Sequence, residues 1–290
     1  MKFGVFTVST PEFSLKDTIE LLKRLGYDGV EWRVQSIPKG NSSKVPFELR
    51  YWGDNKSTID IEKVEEIVPE VKKMCDAVGL EIFGLTTYLK PYQFDVIERV
   101  LRAAKNNDIR FVRVFPPEYP DKVSKKTQPQ LWKETYDDIR KLEVMAKQYG
   151  VKIVFEIHHD NLMASPSAAY SLINGCDPDY IGLIFDPGNM VFEGFENYQR
   201  SFELLGPYVA HVHVKNAILI PEGRDSMNAL KFKRDWASLK NGSADLAHLF
   251  EVLKTMGYDG TVSVEDFSND VSTEEKLADN IKYIKQLASC

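Results

Sequence analysis

Short apolar runs alternate with amphipathic stretches along the whole chain. Eight runs rich in β-branched and aromatic residues predict strands, and the segments that follow them show the apolar spacing of a helix. The predicted strands cover residues 2–8, 27–34, 80–88, 109–117, 151–159, 180–189, 208–217 and 260–267. The predicted helices cover residues 14–26, 60–78, 93–106, 129–149, 165–174, 194–205, 243–256 and 272–287.

This alternation predicts an α/β fold with parallel strands joined by crossover helices. Eight strand–helix units predict a closed (β/α)8 barrel that forms a single domain over residues 1–290. A doubly wound open sheet is the alternative, but it usually carries a glycine-rich phosphate loop after its first strand. The sequence at that position is TVSTPEFS, which lacks such a loop and therefore favours the barrel.

Two long loops, 35–59 and 216–242, follow the second and seventh predicted strands. In a barrel both loops lie at the mouth formed by the carboxyl ends of the strands, where such proteins place their chemistry. The loops carry Phe47, Tyr51, Trp52, Arg224, Phe232 and Trp236. Covering a bound substrate and packing the loops onto the barrel both stay open as roles for the aromatic residues.

Four predicted strands turn polar where they end. Side chains alternate between faces along a strand, so His211, His213 and Lys215 share one face of the run VAHVHVKNA. The strands at 151–159, 180–189 and 260–267 end with Glu156 and His158, with Asp186, and with Glu265. Because neighbouring strand ends meet at one mouth, the side chains of Glu156, Asp186, His213 and Glu265 are predicted to converge.

Three carboxylates in one confined site would repel each other strongly unless a cation lay between them. Carboxylate oxygens with one imidazole suit Mn²⁺ or Mg²⁺, with Zn²⁺ and Co²⁺ as alternatives. Residues of these types also occur singly as rim residues, ion pairs or satisfied core histidines, and this second reading stays open for each of them. We expect His213 to be the ligand because it lies nearer the mouth, and the deeper His211 to support it or to pack.

The segments FEIHH, IFDPGN, HVHVKNA and GYDGTVSVEDF, together with LLKRLGYDGVEW near the start, resemble the sugar phosphate isomerase/epimerase family, the xylose isomerase-like TIM barrels. The resemblance covers nearly the whole of residues 1–290. It implies one divalent metal held by Glu156, Asp186, His213 and Glu265. Barrels of this family often form homo-oligomers, so the resemblance leaves a homo-oligomer open for this chain.

Two positions depart from the family pattern. Members often have a substrate-contacting histidine three residues after the metal-binding aspartate, and this chain has Asn189 there. Ketose 3-epimerases of the family have a Glu–Ala–Asn–Arg run after the metal-binding histidine, where this chain has Lys215 and no arginine. These departures disfavour a ketose 3-epimerase in the narrow sense.

The resemblance implies proton transfer next to the carbonyl of a sugar or sugar derivative through an enediolate that the metal stabilises. Glu156 and Glu265 are the candidate catalytic carboxylates of such an isomerase or epimerase. The candidate substrate-binding residues are His158, Asn189, Lys215, Arg113, Arg224 and Trp236. A lyase that decarboxylates or dehydrates an oxidised sugar acid is the alternative, and a non-catalytic sugar-binding barrel is a third.

Charge and composition disfavour some classes of binding partner and cellular compartment. The formal net charge of -6 argues against a general nucleic-acid binder, and five histidines are few for an apurinic endonuclease, which uses several zinc ions. The three cysteines are widely spaced and form no disulfide or zinc-finger pattern, so a reducing, cytoplasmic compartment is expected. The sequence shows neither a signal peptide nor an apolar run of membrane-spanning length. A small carbohydrate or sugar acid is the expected partner.

Overall fold

Eight parallel strands close into a barrel in the computed structural model, which describes residues 1–37 and 45–289. The first barrel strand pairs with the second and also with the last, and this double pairing closes the ring. The barrel strands, in order around the ring, are β1 (Lys2–Phe6), β2 (Gly29–Gln35), β4 (Glu81–Thr87), β5 (Phe111–Arg113), β6 (Lys152–Glu156), β7 (Ile181–Phe185), β8 (Val209–Val214) and β11 (Thr261–Val264). The predicted closed barrel is therefore confirmed.

Most of the helices cover the outside of this ring, and two short ones belong to the loops at its mouth. They are α1 (Leu15–Leu25), α2 (Arg50–Gly53), α3 (Val64–Val78), α4 (Phe94–Asn106), α5 (Gln128–Tyr149), α6 (Pro166–Ile173), α7 (Pro187–Phe192), α8 (Tyr198–Leu205), α9 (Leu246–Thr255) and α10 (Thr273–Ser289). Within the described part of the chain, none of them combines the length and the apolar character that a membrane crossing requires.

Local signals in the sequence set the ends of α1. The Ser14 side chain accepts a hydrogen bond from the backbone N–H of Asp17 at 3.2 Å, as an N-cap does. The helix ends at Gly26, whose φ of 83° lies in the left-handed region that glycine adopts without strain. Both ends agree with the prediction from the sequence.

The two faces of the strands pack against different partners. Val212 and Val214 of β8, and Phe155 of β6, belong to the main apolar layer between barrel and helices. The opposite faces fill the interior of the barrel. Phe83 and Phe111 form a small apolar cluster there with Val154 and Ile184, and the buried rings of His211 and His213 lie within the same ring of strands.

Three predictions about elements differ most from the structure. Residues 186–189 were predicted to continue a strand, but β7 ends at Phe185 and α7 begins at Pro187, where the Asp186 side chain accepts the N–H of Asn189. The strand predicted to reach residue 117 stops at Arg113, before two consecutive prolines that have no N–H to donate.

The third error concerns the loop predicted over residues 216–242. It contains an antiparallel hairpin of β9 (Asn216–Arg224) and β10 (Leu230–Ala237). The loop predicted over residues 35–59 contains α2 and the start of the short β3 (Ile59–Asp60), and its residues 38–44 lie outside the described part of the chain.

Packing inside the barrel predicts a strong effect of adding one methyl group at Gly84. A Cβ at this position would lie 2.1 Å from the ring of Phe111. We expect Gly84→Ala to lower the free energy of unfolding by about 1–3 kcal/mol, as overpacked cores do, measured by urea denaturation. The double variant Gly84→Ala/Phe111→Leu should regain part of the loss, and equal stability of Gly84→Ala and the parent would contradict this packing.

Candidate active site

The four side chains predicted to converge do meet at the carboxyl ends of their strands. Glu156 ends β6, Asp186 follows β7, His213 lies in β8 and Glu265 follows β11. All four are buried, and their nearest ligand atoms lie within 4.8 Å of one another. The His213 Nδ1 atom lies 3.4 Å from a Glu156 oxygen, 3.7 Å from an Asp186 oxygen and 3.6 Å from a Glu265 oxygen. We call these four residues the quartet.

The donor atoms of the quartet fit a divalent cation. His213 Nδ1 is buried and has no hydrogen-bond partner among the described residues, although it faces three carboxylates. Such an arrangement concentrates negative charge away from water, which is costly unless positive charge compensates it. Three carboxylate oxygens and one imidazole nitrogen are a ligand set found for divalent metal ions. The buried quartet therefore suggests a divalent metal site.

Lys215, which follows β8, reaches into the quartet. Its Nζ atom lies 2.5 Å from a Glu265 oxygen and 2.8 Å from an Asp186 oxygen. Burial opposes the charged form, but these carboxylates outweigh it and raise the pKa of Lys215 above its usual value. The ammonium also lies 5.0 Å from the ring centre of Trp236. Lys215 was predicted to contact substrate, and the structure shows its ion pairs with the quartet.

Asn189 binds two of the quartet carboxylates. Its Nδ2 atom donates to Glu156 at 3.0 Å and to Asp186 at 2.9 Å. The turn that places it depends on Gly188, where a Cβ would lie 2.9 Å from the Lys215 carbonyl oxygen. The Asn189 Oδ1 atom has no hydrogen-bond partner among the described residues. Asn189 thus orients Glu156 and Asp186 and retains one acceptor at the site.

The quartet's two glutamates have opposite pKa shifts. Burial opposes ionisation of Glu156, but the Arg113 guanidinium outweighs it and holds the pKa of Glu156 well below its usual range. Arg113 Nη1 donates to Glu156, and Arg113 Nε donates to the Thr87 carbonyl at 3.1 Å. Burial dominates for Glu265 and raises its pKa to about 7, even though Lys215 acts in the opposite direction. Two carboxylates in one site with diverging pKa values can serve as acid and base.

His158 lies beside the quartet, two residues beyond Glu156. Its ring packs against Phe115, with 5.0 Å between ring centres, and stacks on His159 at 4.3 Å. Burial lowers the pKa of His158 to about 3, so the imidazole is neutral at physiological pH. His158 can therefore exchange hydrogen bonds with a substrate without carrying charge.

Aromatic residues from three segments build a wall at the mouth. Trp236 of β10 packs against Phe267 with 5.3 Å between ring centres, and Trp52 packs against Phe267 at 4.8 Å. A cavity of about 240 Å³ lies between these rings and the neighbouring loops. Trp52 and Trp236, one from each loop, thus pack on the same Phe267 ring and also line a cavity.

Of the other loop residues singled out, Tyr51 is buried and packs on Phe267 with 5.0 Å between ring centres, whereas Phe47, Phe232 and Arg224 lie elsewhere. Phe47 and Phe232 are exposed. Arg224 lies at the outer end of the hairpin, exposed, where its Nη1 atom donates to the Asn228 carbonyl at 2.7 Å. The structure does not bring Arg224 to the quartet, and its role in substrate binding stays a prediction.

Glu31 of β2 was not identified from the sequence. It is fully buried inside the barrel and accepts hydrogen bonds from Thr86, from His211 Nε2 at 3.1 Å and from His213 Nε2 at 3.0 Å. Burial opposes its ionisation, but the two histidines outweigh burial and hold the pKa of Glu31 well below its usual range. An acidic residue between Val30 and Trp32 in an apolar strand was the signal that could have revealed it.

Comparison with known proteins finds a curated relative that matches part of the chain and solved structures that match nearly all of it. An inosose dehydratase from Clostridium perfringens is 28% identical over 142 residues, 46% of this chain and 46% of the relative. The match therefore spans about half the length of that curated relative. A 3-keto-D-glucoside 4-epimerase from E. coli has a TM-score of 0.72 and 18% identity, with all of both chains covered.

A solved IOLI protein with a bound zinc atom has a TM-score of 0.69 and 20% identity, over 100% of this chain and 98% of that one. These distant structural likenesses show a shared fold. The family model described as xylose isomerase-like TIM barrel matches residues 19–287, which is most of the sequence. The chain therefore belongs to the xylose isomerase-like TIM barrel family.

Proposed function

We propose that this protein is a divalent-metal-dependent isomerase or epimerase of a sugar or sugar derivative. The observation that carries the proposal is the quartet itself, with the unpartnered His213 Nδ1 atom facing three buried carboxylates. The named activities of the relatives, a sugar epimerase and an inosose dehydratase, support a carbohydrate or sugar acid as the substrate.

Glu156, Asp186, His213 and Glu265 would hold the metal, with Mn²⁺ or Mg²⁺ favoured by the three oxygen donors and Zn²⁺ or Co²⁺ as alternatives. When bound, the ion supplies Lewis-acid polarisation of a substrate carbonyl and its neighbouring hydroxyl.

Proton transfer falls to Glu156 and Glu265. Arg113 keeps Glu156 ionised and able to accept the proton on the carbon next to the carbonyl, which produces an enediolate. Return of a proton by the other glutamate on the opposite face of that carbon gives an epimer. Return to the neighbouring carbon gives the aldose–ketose isomer. The same pair of carboxylates thus serves both reactions.

The residues around the quartet would orient the substrate. His158 is neutral and half-buried, Asn189 has a free acceptor oxygen, and Arg113 has a buried Nη2 atom without a partner among the described residues. These groups can bind substrate hydroxyl or carbonyl oxygens. Trp236 offers an apolar surface to a sugar ring, and Lys215 can bind a substrate oxygen or stabilise its negative charge.

Dehydration is the second candidate function. The match to inosose dehydratases favours it, and so does Lys215, whose ammonium lies among the quartet carboxylates and could stabilise negative charge on a departing hydroxyl oxygen. Loss of the proton next to a carbonyl is the first step of both reactions, so the same quartet would serve a dehydratase. Decarboxylation of an oxidised sugar acid and non-catalytic sugar binding remain further alternatives.

The first prediction from this proposal concerns the metal content of the purified protein. Protein purified without chelator should carry close to one equivalent of divalent metal by elemental analysis, and Glu265→Ala should lose it because a ligand is gone. Turnover should fall to background while the circular dichroism spectrum stays that of the parent. Glu203→Ala, at an exposed position on α8, is the control and should keep both metal and activity. A fully active Glu265→Ala variant would contradict the proposal.

A second prediction separates the candidate reactions. Keto-sugars and sugar acids are incubated with the protein in D₂O and followed by NMR and mass spectrometry. An epimerase or isomerase should place solvent deuterium on carbon in a product of unchanged composition, because the abstracted proton exchanges with solvent. A product whose mass is lower than that of the substrate by one water molecule would identify a dehydratase instead. Deuterium uptake in Glu265→Ala equal to that of the parent would rule out the assigned carboxylates.

A third prediction concerns Lys215 and the metal. Lys215→Met removes a positive charge that shares carboxylates with the metal site. We expect the chelator-treated variant to melt at a lower temperature than the parent, since the quartet loses a counter-charge. Its Kd for Mn²⁺ should be on the order of tenfold lower, because the ammonium no longer competes. Calorimetric titration and thermal melts measure both quantities.

Lys276→Met is the matched control for Lys215→Met. Lys276 is also buried, but its Nζ atom donates to the backbone carbonyls of Asp266 and Ser268 at 2.8 and 2.9 Å. This variant should lose stability without a change in Mn²⁺ affinity. A Lys215→Met variant that binds Mn²⁺ more weakly than the parent would show that the lysine assists metal binding.

A further inference from the structure

We propose that Glu31 is a positioning residue that holds the Nε2 proton of His213 and so presents the Nδ1 lone pair to the quartet. This inference rests on the proposed metal site. Glu31 itself lies outside the quartet and would act on the metal only through the imidazole of His213.

The Glu31 carboxylate lies on the opposite edge of the His213 ring from the quartet. Its two oxygens are 3.2 and 3.0 Å from His213 Nε2, whereas the quartet oxygens approach Nδ1. Both residues are fully buried. The ring therefore lies between the single Glu31 carboxylate, which faces Nε2, and the three quartet carboxylates, which face Nδ1.

Chemistry distinguishes the two edges of the ring. A neutral imidazole has one N–H donor and one acceptor nitrogen. When the imidazole is neutral, as it is when it binds a metal, a carboxylate at Nε2 favours the tautomer with the proton there, which leaves Nδ1 as the acceptor and hence as the metal ligand. The stacked ring of Phe6, 5.6 Å away between centres, restricts rotation of the imidazole out of this plane.

Glu31 is itself held in place by other contacts. Thr86 of β4 donates a hydrogen bond to its Oε1 atom, and His211 Nε2 contacts its Oε2 atom at 3.1 Å. His211 also has partners of its own, since Ser263 lies 2.9 Å from Nε2 and Thr261 lies 2.6 Å from Nδ1. Each nitrogen of His211 thus has a hydrogen-bond partner other than Glu31. Satisfying His211 is therefore not the only role open to the Glu31 carboxylate.

The test compares Mn²⁺ affinity in the parent and in Glu31→Gln. After removal of metal with chelator and dialysis, isothermal calorimetry measures the Kd of each protein for Mn²⁺. We expect Glu31→Gln to bind about 10–100-fold more weakly, the usual cost of losing a carboxylate behind a metal-binding histidine. All four members of the quartet are unchanged in this variant.

Asp266→Asn is the matched control. Asp266 is an equally buried carboxylate beside the quartet, but it accepts hydrogen bonds from Ser268 and from Asn280 at 2.9 Å. Its loss should lower the melting temperature and leave the Kd for Mn²⁺ within about twofold of the parent. An unchanged Kd in Glu31→Gln, or an equal change in both variants, would overturn the proposed role of Glu31.

A measurement on the unaltered protein gives an independent test. Nitrogen-15 NMR of the Zn²⁺-loaded parent should show His213 with its proton on Nε2 and its Nδ1 atom shifted by the metal. A proton on Nδ1 would overturn the inference even if Glu31→Gln fails to fold. Failure of the parent to bind either ion would instead overturn the proposed function, so the two failures are distinguishable.

Discussion

The structure depends on the neutralisation of three carboxylates that are withdrawn from water at one end of the barrel. Glu156, Asp186 and Glu265 are almost completely buried and lie close together. Buried charges of one sign are tolerated only where opposite charge and hydrogen bonds compensate for lost hydration. Arg113 and Lys215 supply that charge here. The same electrostatic demand is the reason why the quartet suggests a divalent metal site.

Strand geometry delivers these groups to one place. Alternation along each strand directs every second side chain into the barrel, and the parallel arrangement brings the strand ends to a common level. The interior is layered as a result. An apolar cluster with Phe83 and Phe111 fills one part. A hydrogen-bonded group around Glu31 lies between the β2 and β8 strands and connects directly to the quartet through His213.

The loops add what the strands alone cannot provide. The turn at Asp186 begins a short helix whose Asn189 amide binds two quartet carboxylates. The hairpin of β9 and β10 is anchored at its base by Asn216, which donates to the carbonyls of Leu239 and Ala244. That anchor places Trp236 over Lys215, whereas the outer part of the hairpin is exposed. The chemical groups of the mouth therefore come from both strands and loops.

The sequence by itself determined the barrel and the four members of the quartet. The strand patterns that end in Glu156, Asp186 and Glu265 are local features of the sequence. The closed parallel barrel brings the ends of these strands next to one another in space. Tertiary structure decided three other features. Glu31 meets His213 from a strand some 180 positions away, and Lys215 turns toward carboxylates on other strands. The hairpin is paired by cross-strand contacts that leave both faces of its outer part exposed. The two charged contacts join residues on different strands, and the hairpin is set by cross-strand pairing, so the strand–helix period of the chain specifies none of the three.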